Sequence, residues 1–419
     1  MKKIIVGIIL IIVVGIGSYK YLFNNTAVIS DKSKEQIKSK DMLTMMLETE
    51  AGTGNYQEVK QSEWPIDGYV FNAELSKCEN GGTLSWDDEN KKVVMQSNTS
   101  DKCYIYFDIA NQTFADYIID EVYSVDGTNG LYYHDGQGTY TNANQEAGDN
   151  SYRYSGANPD NYVCFGSDAA TCPNDNLYRI IGLFDDDKDG VYNIKLIKYD
   201  YANSNLLGIN GDYNNDYYSS TSLNYYKGYL TTINRYSWNN NTKTNNWSES
   251  NLNIINLNTN YWNSLNKNCQ DMIATTSWKI NSSSEDNINN VSIKNLFNNE
   301  IINPMSQTRY DDEIGLMYVS DYGYAVIPEY WTEHLLNFNN SLIQNNNWMF
   351  MGIDEWTITM AYYSNSLYPY VFFIYADGRI VYSGGVTYYT AIRPVFYLKE
   401  SVLIMAGNGS LNSPYRLSL

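Results

Sequence analysis

The run Asp185-Asp-Asp187-Lys-Asp189-Gly190 carries the sharpest chemical signal in the sequence. Carboxylates at alternate positions followed by glycine open a calcium loop, because a hard cation collects oxygen ligands and glycine permits the tight turn. An EF-hand needs an acidic ligand at the twelfth position, which here is Leu196, so that motif is excluded. Two readings stay open: a looser Ca²⁺ site on Asp185, Asp187 and Asp189, or an acidic hairpin tip joining Phe184 to Tyr192. No other cofactor is expected. His134 and His334 stand far apart without ligand-spaced partners, and neither a Gly-rich phosphate loop nor a G-x-S-x-G elbow occurs. Asp311-Asp-Glu313 and Asp354-Glu355 are neighbouring carboxyls of the kind a glycosidase uses, although 47 acidic residues bring such neighbours together by chance.

Aromatic side chains are the stronger lead. Tyr occurs 41 times and Trp nine times. Their flat faces and polar tips suit stacking on sugar rings or anchoring a protein interface. The candidate groups are Trp356 with Tyr362 and Tyr363, Trp331 with Tyr322, Tyr324 and Tyr330, and the pair Tyr388–Tyr389. The competing reading is that these rings fill a β core, or that base composition inflates Tyr, Asn and Ile. Lys would rise under the same bias, yet it numbers 21 against 54 Asn, so bias is not the whole account.

Charge gives an orientation. The net charge is −19, but residues 1–40 hold seven Lys and two acids, so +5 sits at the start and −24 on the remainder. A −24 body argues against nucleic acid, whose phosphates require clustered cations. Lys2 and Lys3 precede an apolar run from Ile4 to Ile16. Extended to Phe23, through Tyr19, Lys20 and Tyr21, a helix reaches about 30 Å, the thickness of a bilayer core. Residues 1–23 are therefore expected to be a single-pass membrane anchor, with the N-terminus cytoplasmic and the body extracytoplasmic. The alternative is a cleaved signal peptide and a secreted protein, for which no A-x-A-like site stands near Gly15 and Gly17.

Cysteine usage fits an oxidising compartment. None of Cys78, Cys103, Cys164, Cys172 and Cys269 shows C-x-x-C zinc spacing. The natural local pairs are Cys78–Cys103 and Cys164–Cys172, leaving Cys269 over; five free buried thiols are the other reading.

Five segments follow: the anchor 1–23, a polar spacer 24–62, a small β module 63–109, a connecting helix 110–126 and a large α+β domain 127–419. In the module, Gly68–Phe71, Thr83–Trp86, Lys92–Met95 and Cys103–Phe107 are short β-branched and aromatic runs between turns. Phe114, Tyr117, Ile118 and Val122 recur at helical spacing behind Thr113, a candidate cap, and are expected to pack between the domains. Strands are predicted at Tyr162–Phe165, Leu177–Phe184, Tyr192–Lys198, Ile314–Val319, Glu355–Thr359, Tyr370–Tyr375, Arg379–Tyr382 and Arg393–Leu398. Asp377-Gly378 marks a hairpin, Asn287–Glu300 a helix, and a further helix starts near Trp247. The Asn-rich stretch 199–262 otherwise reads as turns and exposed loops.

From Tyr162 onward these pieces come in an order that resembles a domain of unknown function found in surface proteins of Firmicutes-type bacteria. The matching residues are Val163-Cys-Phe-Gly166, Leu177-Tyr-Arg-Ile-Ile181, Ser250-x-Leu252, Leu257-Asn258, Tyr261-Trp262, Trp356-Thr-Ile-Thr359, Ala376-Asp-Gly378 and Ile392-Arg-Pro-Val-Phe-Tyr-Leu398. The closing Trp-x-x-Thr, Asp-Gly and Arg-Pro pattern is similar to C-type-lectin-like and formylglycine-generating-enzyme-like domains. The resemblance implies a lectin-like α+β fold and a structural role for Arg393. The enzymatic branch uses cysteines near its C-terminal end, and none follows Cys269. The expected fold is thus β-rich α+β, with a membrane helix, a disulfide-stapled β module and a larger C-type-lectin-like domain. The expected function is recognition of a glycan or partner protein at the cell surface without catalysis. The alternatives are a polysaccharide-acting enzyme using paired carboxylates, or a structural envelope protein.

Overall fold

The computed structural model describes residues 43–49, 53–59, 69–87, 92–96, 101–109, 112–186, 188–221, 225, 227–280, 282–284, 291–304, 308–362, 369–382 and 385–419. The chain is β-rich, with short helices, and forms two compact units that divide between Gln112 and Thr113. The expected anchor at 1–23 lies outside the described residues; among those described, no helix is long and apolar enough to cross a membrane.

The smaller unit is a four-stranded sheet with a separate hairpin. Its strand order is Tyr56–Val59, Leu43–Glu48, Cys103–Ile109, Tyr69–Cys78. Cys103, Ile105 and Phe107 alternate inward along one strand, as a half-buried strand requires. Ile105 and Phe107 meet Val93 and Trp86 of the hairpin Thr83–Asp87/Lys92–Gln96, and the Trp86 ring stands edge-on to Phe107 at 5.2 Å. Cys78 and Cys103 face each other across the sheet and form a disulfide. The expected spacer 24–62 is corrected here. Leu43–Glu48 is an inner strand running parallel to Cys103–Ile109, and Met45 is buried. Its apolar residues, Leu43, Met45, Met46 and Leu47, lie beside a charged run that dominated the composition of the segment.

The larger unit centres on a sheet ordered Val395–Tyr397, Asn193–Lys198, Leu177–Phe184, Tyr162–Cys164, Tyr415–Ser418, Leu403–Ala406. Leu177–Phe184 is buried along its whole length, so apart from Arg179 it reads as an apolar run and not an alternating one. The unit closes on itself. Tyr415–Ser418 runs parallel to Tyr162–Cys164, and Phe114 donates its backbone N–H to the Val402 carbonyl at 2.7 Å. The segment expected to connect two domains therefore belongs to this unit. Thr113 caps it, Phe114 and Ile118 enter the core, and the helix widens to π-type turns over Ile118–Val122.

Other departures have local causes. Ile314–Val319 is not a strand: only Gly315 pairs, with Val395, and Val319–Tyr324 is helical. Glu300 sets that start by accepting the backbone N–H groups of Val319 and Ser320 at 3.0 and 3.1 Å. The Asn-rich stretch contains two paired strands, Tyr213–Ser219 and Thr232–Ser237. Asn there is used internally: buried Asn256 accepts from Asp212 N and donates to the Leu207 and Asn210 carbonyls.

The core buries charge as well as rings. Lys195 meets Asp321 at 2.6 Å, and Arg393 binds both carboxylate oxygens of Glu355 at 2.7 and 2.9 Å. Arg179 lies between Tyr162 and Trp348, with its guanidinium 4.2 and 4.5 Å from the ring centres; burial pulls its pKa down to about 10. Cys164 and Cys172 form the second disulfide, and Cys269 is a buried thiol.

Candidate functional site

The aromatic groups singled out from sequence end in different environments. Trp331 is fully buried, as are Tyr322 and Tyr324. Its ring packs against His134 at 5.0 Å, Tyr324 at 5.5 Å, Tyr132 at 5.8 Å and Tyr140 at 5.9 Å. The indole N–H is spent on the Val326 carbonyl. An enclosed ring offers no face to a ligand, so Trp331 leaves the recognition set. Trp356 leaves it as well, since it is 1% exposed and donates to the Tyr236 carbonyl at 3.0 Å. Tyr363 and the Tyr362 side chain lie outside the described residues.

Tyr388 stays at the surface, half-buried, with Trp356 beneath it, edge-on at 6.5 Å. Three elements converge there. The strands Tyr213–Ser219 and Thr232–Ser237 bring Tyr218 and Arg235, and Tyr389–Thr390 pairs with the second of them. The register slips between Asn214 and Tyr217, a bulge of the kind that re-aims side chains, and Tyr217 emerges 60% exposed. Asp354 supplies the centre. Its Oδ2 accepts the hydroxyls of Tyr388 at 3.0 Å and Tyr218 at 3.3 Å, while Oδ1 accepts the Ala376 N–H at 2.7 Å. Arg235 spans the group, 4.6 Å over the Tyr218 ring and 6.0 Å from Tyr388, and donates to the Tyr389 carbonyl at 2.8 Å. Burial raises the Asp354 pKa, and the Ala376 N–H, both tyrosine hydroxyls and Arg235 pull it back.

Buried Phe373 packs under Tyr388 at 5.6 Å and under Tyr375 at 6.2 Å; Tyr375 is 39% exposed and carries Arg379 at 5.4 Å from its ring. The tract thus offers ring faces, phenol hydroxyls and two guanidinium groups, held from below by the buried Asp354 carboxylate. Such a set hydrogen-bonds hydroxyls or peptide groups while a ring stacks on the apolar side of the same ligand. Of the sequence candidates, Trp356, Tyr388 and Tyr389 come together here. Tyr218 and Arg235 were hidden in the Asn-rich stretch, where only the strand formers Thr231-Thr-Ile233 and Tyr236 signalled an element.

The carboxylate pairs separate in the same way. Glu355 is tied to Arg393 inside the core, leaving Asp354 as the half of that pair that faces the tract. Asp312 is partly buried beside Glu313, and burial with that neighbour raises its pKa to about 7. At the acidic turn, Asp185 accepts the backbone N–H groups of Asp189 and Gly190, both at 3.1 Å, and Asp189 accepts that of Val191. These bonds close the hairpin between Leu177–Phe184 and Asn193–Lys198; Asp187 lies outside the described residues. The one group of metal-type side chains found among the described residues, Cys78, Asp101 and Cys103, has both sulfurs in the disulfide, and Asp101 holds the Asn80 and Gly82 N–H groups. Comparison with family models, curated proteins and solved structures returns no match.

Proposed function

We propose that this is a membrane-anchored extracytoplasmic protein whose larger unit recognises a glycan or a partner protein through the tract around Tyr388. The observation that carries the reading is the convergence of Tyr218, Arg235 and Tyr388 from separate elements over the buried carboxylate of Asp354. The anchor and its orientation rest on Lys2, Lys3 and the apolar run 4–16; two disulfides suit the far side of the membrane. The lectin-like reading draws support from the paired start and end of the unit, and from Arg393, which is buried on Glu355 and the Met349 carbonyl as a structural arginine would be. The test is binding of full-length protein to a glycan array and to extracted surface proteins. Tyr388→Ala is expected to remove at least one bound species; an unchanged set of bound species contradicts the reading.

A second reading, hydrolysis of a polysaccharide, draws on Asp312, whose pKa burial, with Glu313 beside it, raises to about 7. Hydrolysis abolished by Asp312→Asn would establish it, and absence of hydrolysis in the native protein would remove it.

A further inference from the structure

The centre of the larger unit holds a lysine and an aspartate in contact, both out of reach of water. Lys195 lies on Asn193–Lys198, an inner strand of the sheet between Leu177–Phe184 and Val395–Tyr397. Its Nζ donates to the Asp321 Oδ2 at 2.6 Å, and the two side chains are 0% and 1% exposed. Four buried rings surround the amine. Nζ stands 4.2 Å from the centre of Tyr318, 5.2 Å from Tyr397, 5.6 Å from Phe184 and 5.7 Å from Trp278. Asp321 lies in the first turn of the helix Val319–Tyr324, whose start Glu300 sets by accepting the Val319 and Ser320 N–H groups. An inner strand and a pinned helix thus hold amine and carboxyl against each other, the arrangement in which a two-body step becomes effectively unimolecular.

Such a pair has two forms in a dry core. As ions, both groups bear the cost of leaving water. A proton moved from Nζ to the carboxylate gives an amine and a carboxylic acid, neither of them charged. Burial favours this second form: it lowers the pKa of Lys195, against the pull of Asp321. An uncharged lysine amine is a nucleophile. Its target, Asp321 Cγ, is polarised through both oxygens. Oδ2 accepts the Tyr318 N–H at 2.8 Å, and Oδ1 stands 3.8 Å from a guanidinium nitrogen of Arg153. These groups face the oxygens on which negative charge grows when an amine adds to the carbon. The surroundings also tolerate the loss of both charges. Arg153 keeps its own partner, Asp149, at 2.7 Å.

We infer that Lys195 and Asp321 form a modification site, at which the chain joins itself through an amide between Nζ and Cγ. The nitrogen lone pair makes the new C–N bond and the bond from Cγ to the acid's hydroxyl oxygen breaks. That oxygen leaves as water, carrying the acid's proton and one proton from the amine. No oxidant or second reactant enters the step. The product ties the sheet to a helix 126 residues further along the chain, a brace that reduction of the two disulfides leaves intact.

Peptide mapping of the full-length protein tests it. Protein held folded at neutral pH is reduced, unfolded and digested, and its peptides are sequenced by tandem mass spectrometry. The expected result is one branched peptide containing both Lys195 and Asp321, lighter by one water than its two arms together. Lys195→Arg keeps the positive charge and removes the nucleophilic amine, so it is expected to return two separate arms and to regain the lost water. Recovery of Lys195 and Asp321 in separate, unmodified peptides from the native protein overturns the inference, because the pair is then only an ion pair. A water loss that persists in Lys195→Arg, or that fragment masses place on other residues, overturns it as well.

Discussion

Around Trp331, the rings of Tyr132, Tyr140, Tyr324 and His134 close on one another, whereas around Tyr388 the rings end at a carboxylate and a guanidinium. In sequence the two regions look equivalent, each a Trp with tyrosines nearby. What separates them is how far the rings are covered. In the enclosed region Trp331 bonds Val326 O and Tyr324 bonds Gln145 O, while the half-buried Tyr140 bonds both Tyr133 O and the Glu146 carboxylate. In the open region two tyrosine hydroxyls share one carboxylate that is itself half-committed to Ala376 N–H. A ring covered on every side, as Trp331 is, belongs to the core whatever its tip bonds. Tyr388 keeps part of its ring in the open, where a ligand can engage it.

The largest effect expected from this contrast is on stability at the enclosed region. Trp331→Ala should lose about 3–5 kcal/mol of unfolding free energy in urea, because it empties the centre of four packed rings. If it loses under 1 kcal/mol, the ring is not the core residue described here.

The next effect is a pH dependence. His134 is buried, its Nδ1 accepts the Ala147 N–H at 3.0 Å, and desolvation, assisted by Arg153, lowers its pKa well below 6.5. The unfolded chain therefore takes up a proton below about pH 6.5 while the folded chain does not, so this residue costs stability as pH falls, about 1.4 kcal/mol per pH unit. His134→Phe removes that slope. Its stability deficit relative to the native protein should shrink between pH 6.5 and 5, and a constant deficit would show that His134 is not held neutral.

Substitutions in the open region should act on binding. Arg235→Gln and Tyr388→Ala are each expected to weaken the ligand of the tract about tenfold, with stability losses smaller than that of Trp331→Ala. The smallest effect belongs to Tyr218→Phe. Its hydroxyl reaches Asp354 at a long 3.3 Å, so affinity should drop only about two- to threefold. A larger drop for Tyr218→Phe than for Tyr388→Ala would reverse the order of importance of the two rings.

How far the sequence led differs between elements for physical reasons. Leu177–Phe184 and the Cys78–Cys103 and Cys164–Cys172 pairs were legible because apolar runs and local cysteine spacing are local signals. Leu43–Glu48 was not, because the parallel strand that buries it lies some sixty residues away, its local partner Tyr56–Val59 is short and polar, and charged neighbours mask its pattern. Arg235 and Tyr218 were missed because Asn normally signals turns, and here Asn256 and its neighbours bond backbone inside the fold. Trp331 and Trp356 were misread because ring type carries no record of burial; only the fold decides which face is covered.

The most direct test measures binding and unfolding side by side for the native protein, as reference, and the double variant Arg235→Gln/Tyr388→Ala. Full-length protein is applied to a glycan array and to extracted surface proteins, and its urea midpoint is recorded. The account predicts that the reference protein binds a defined set, that the double variant loses it, and that the midpoints nearly coincide. Identical binding by both proteins, or a reference protein that binds nothing on either panel, would contradict it.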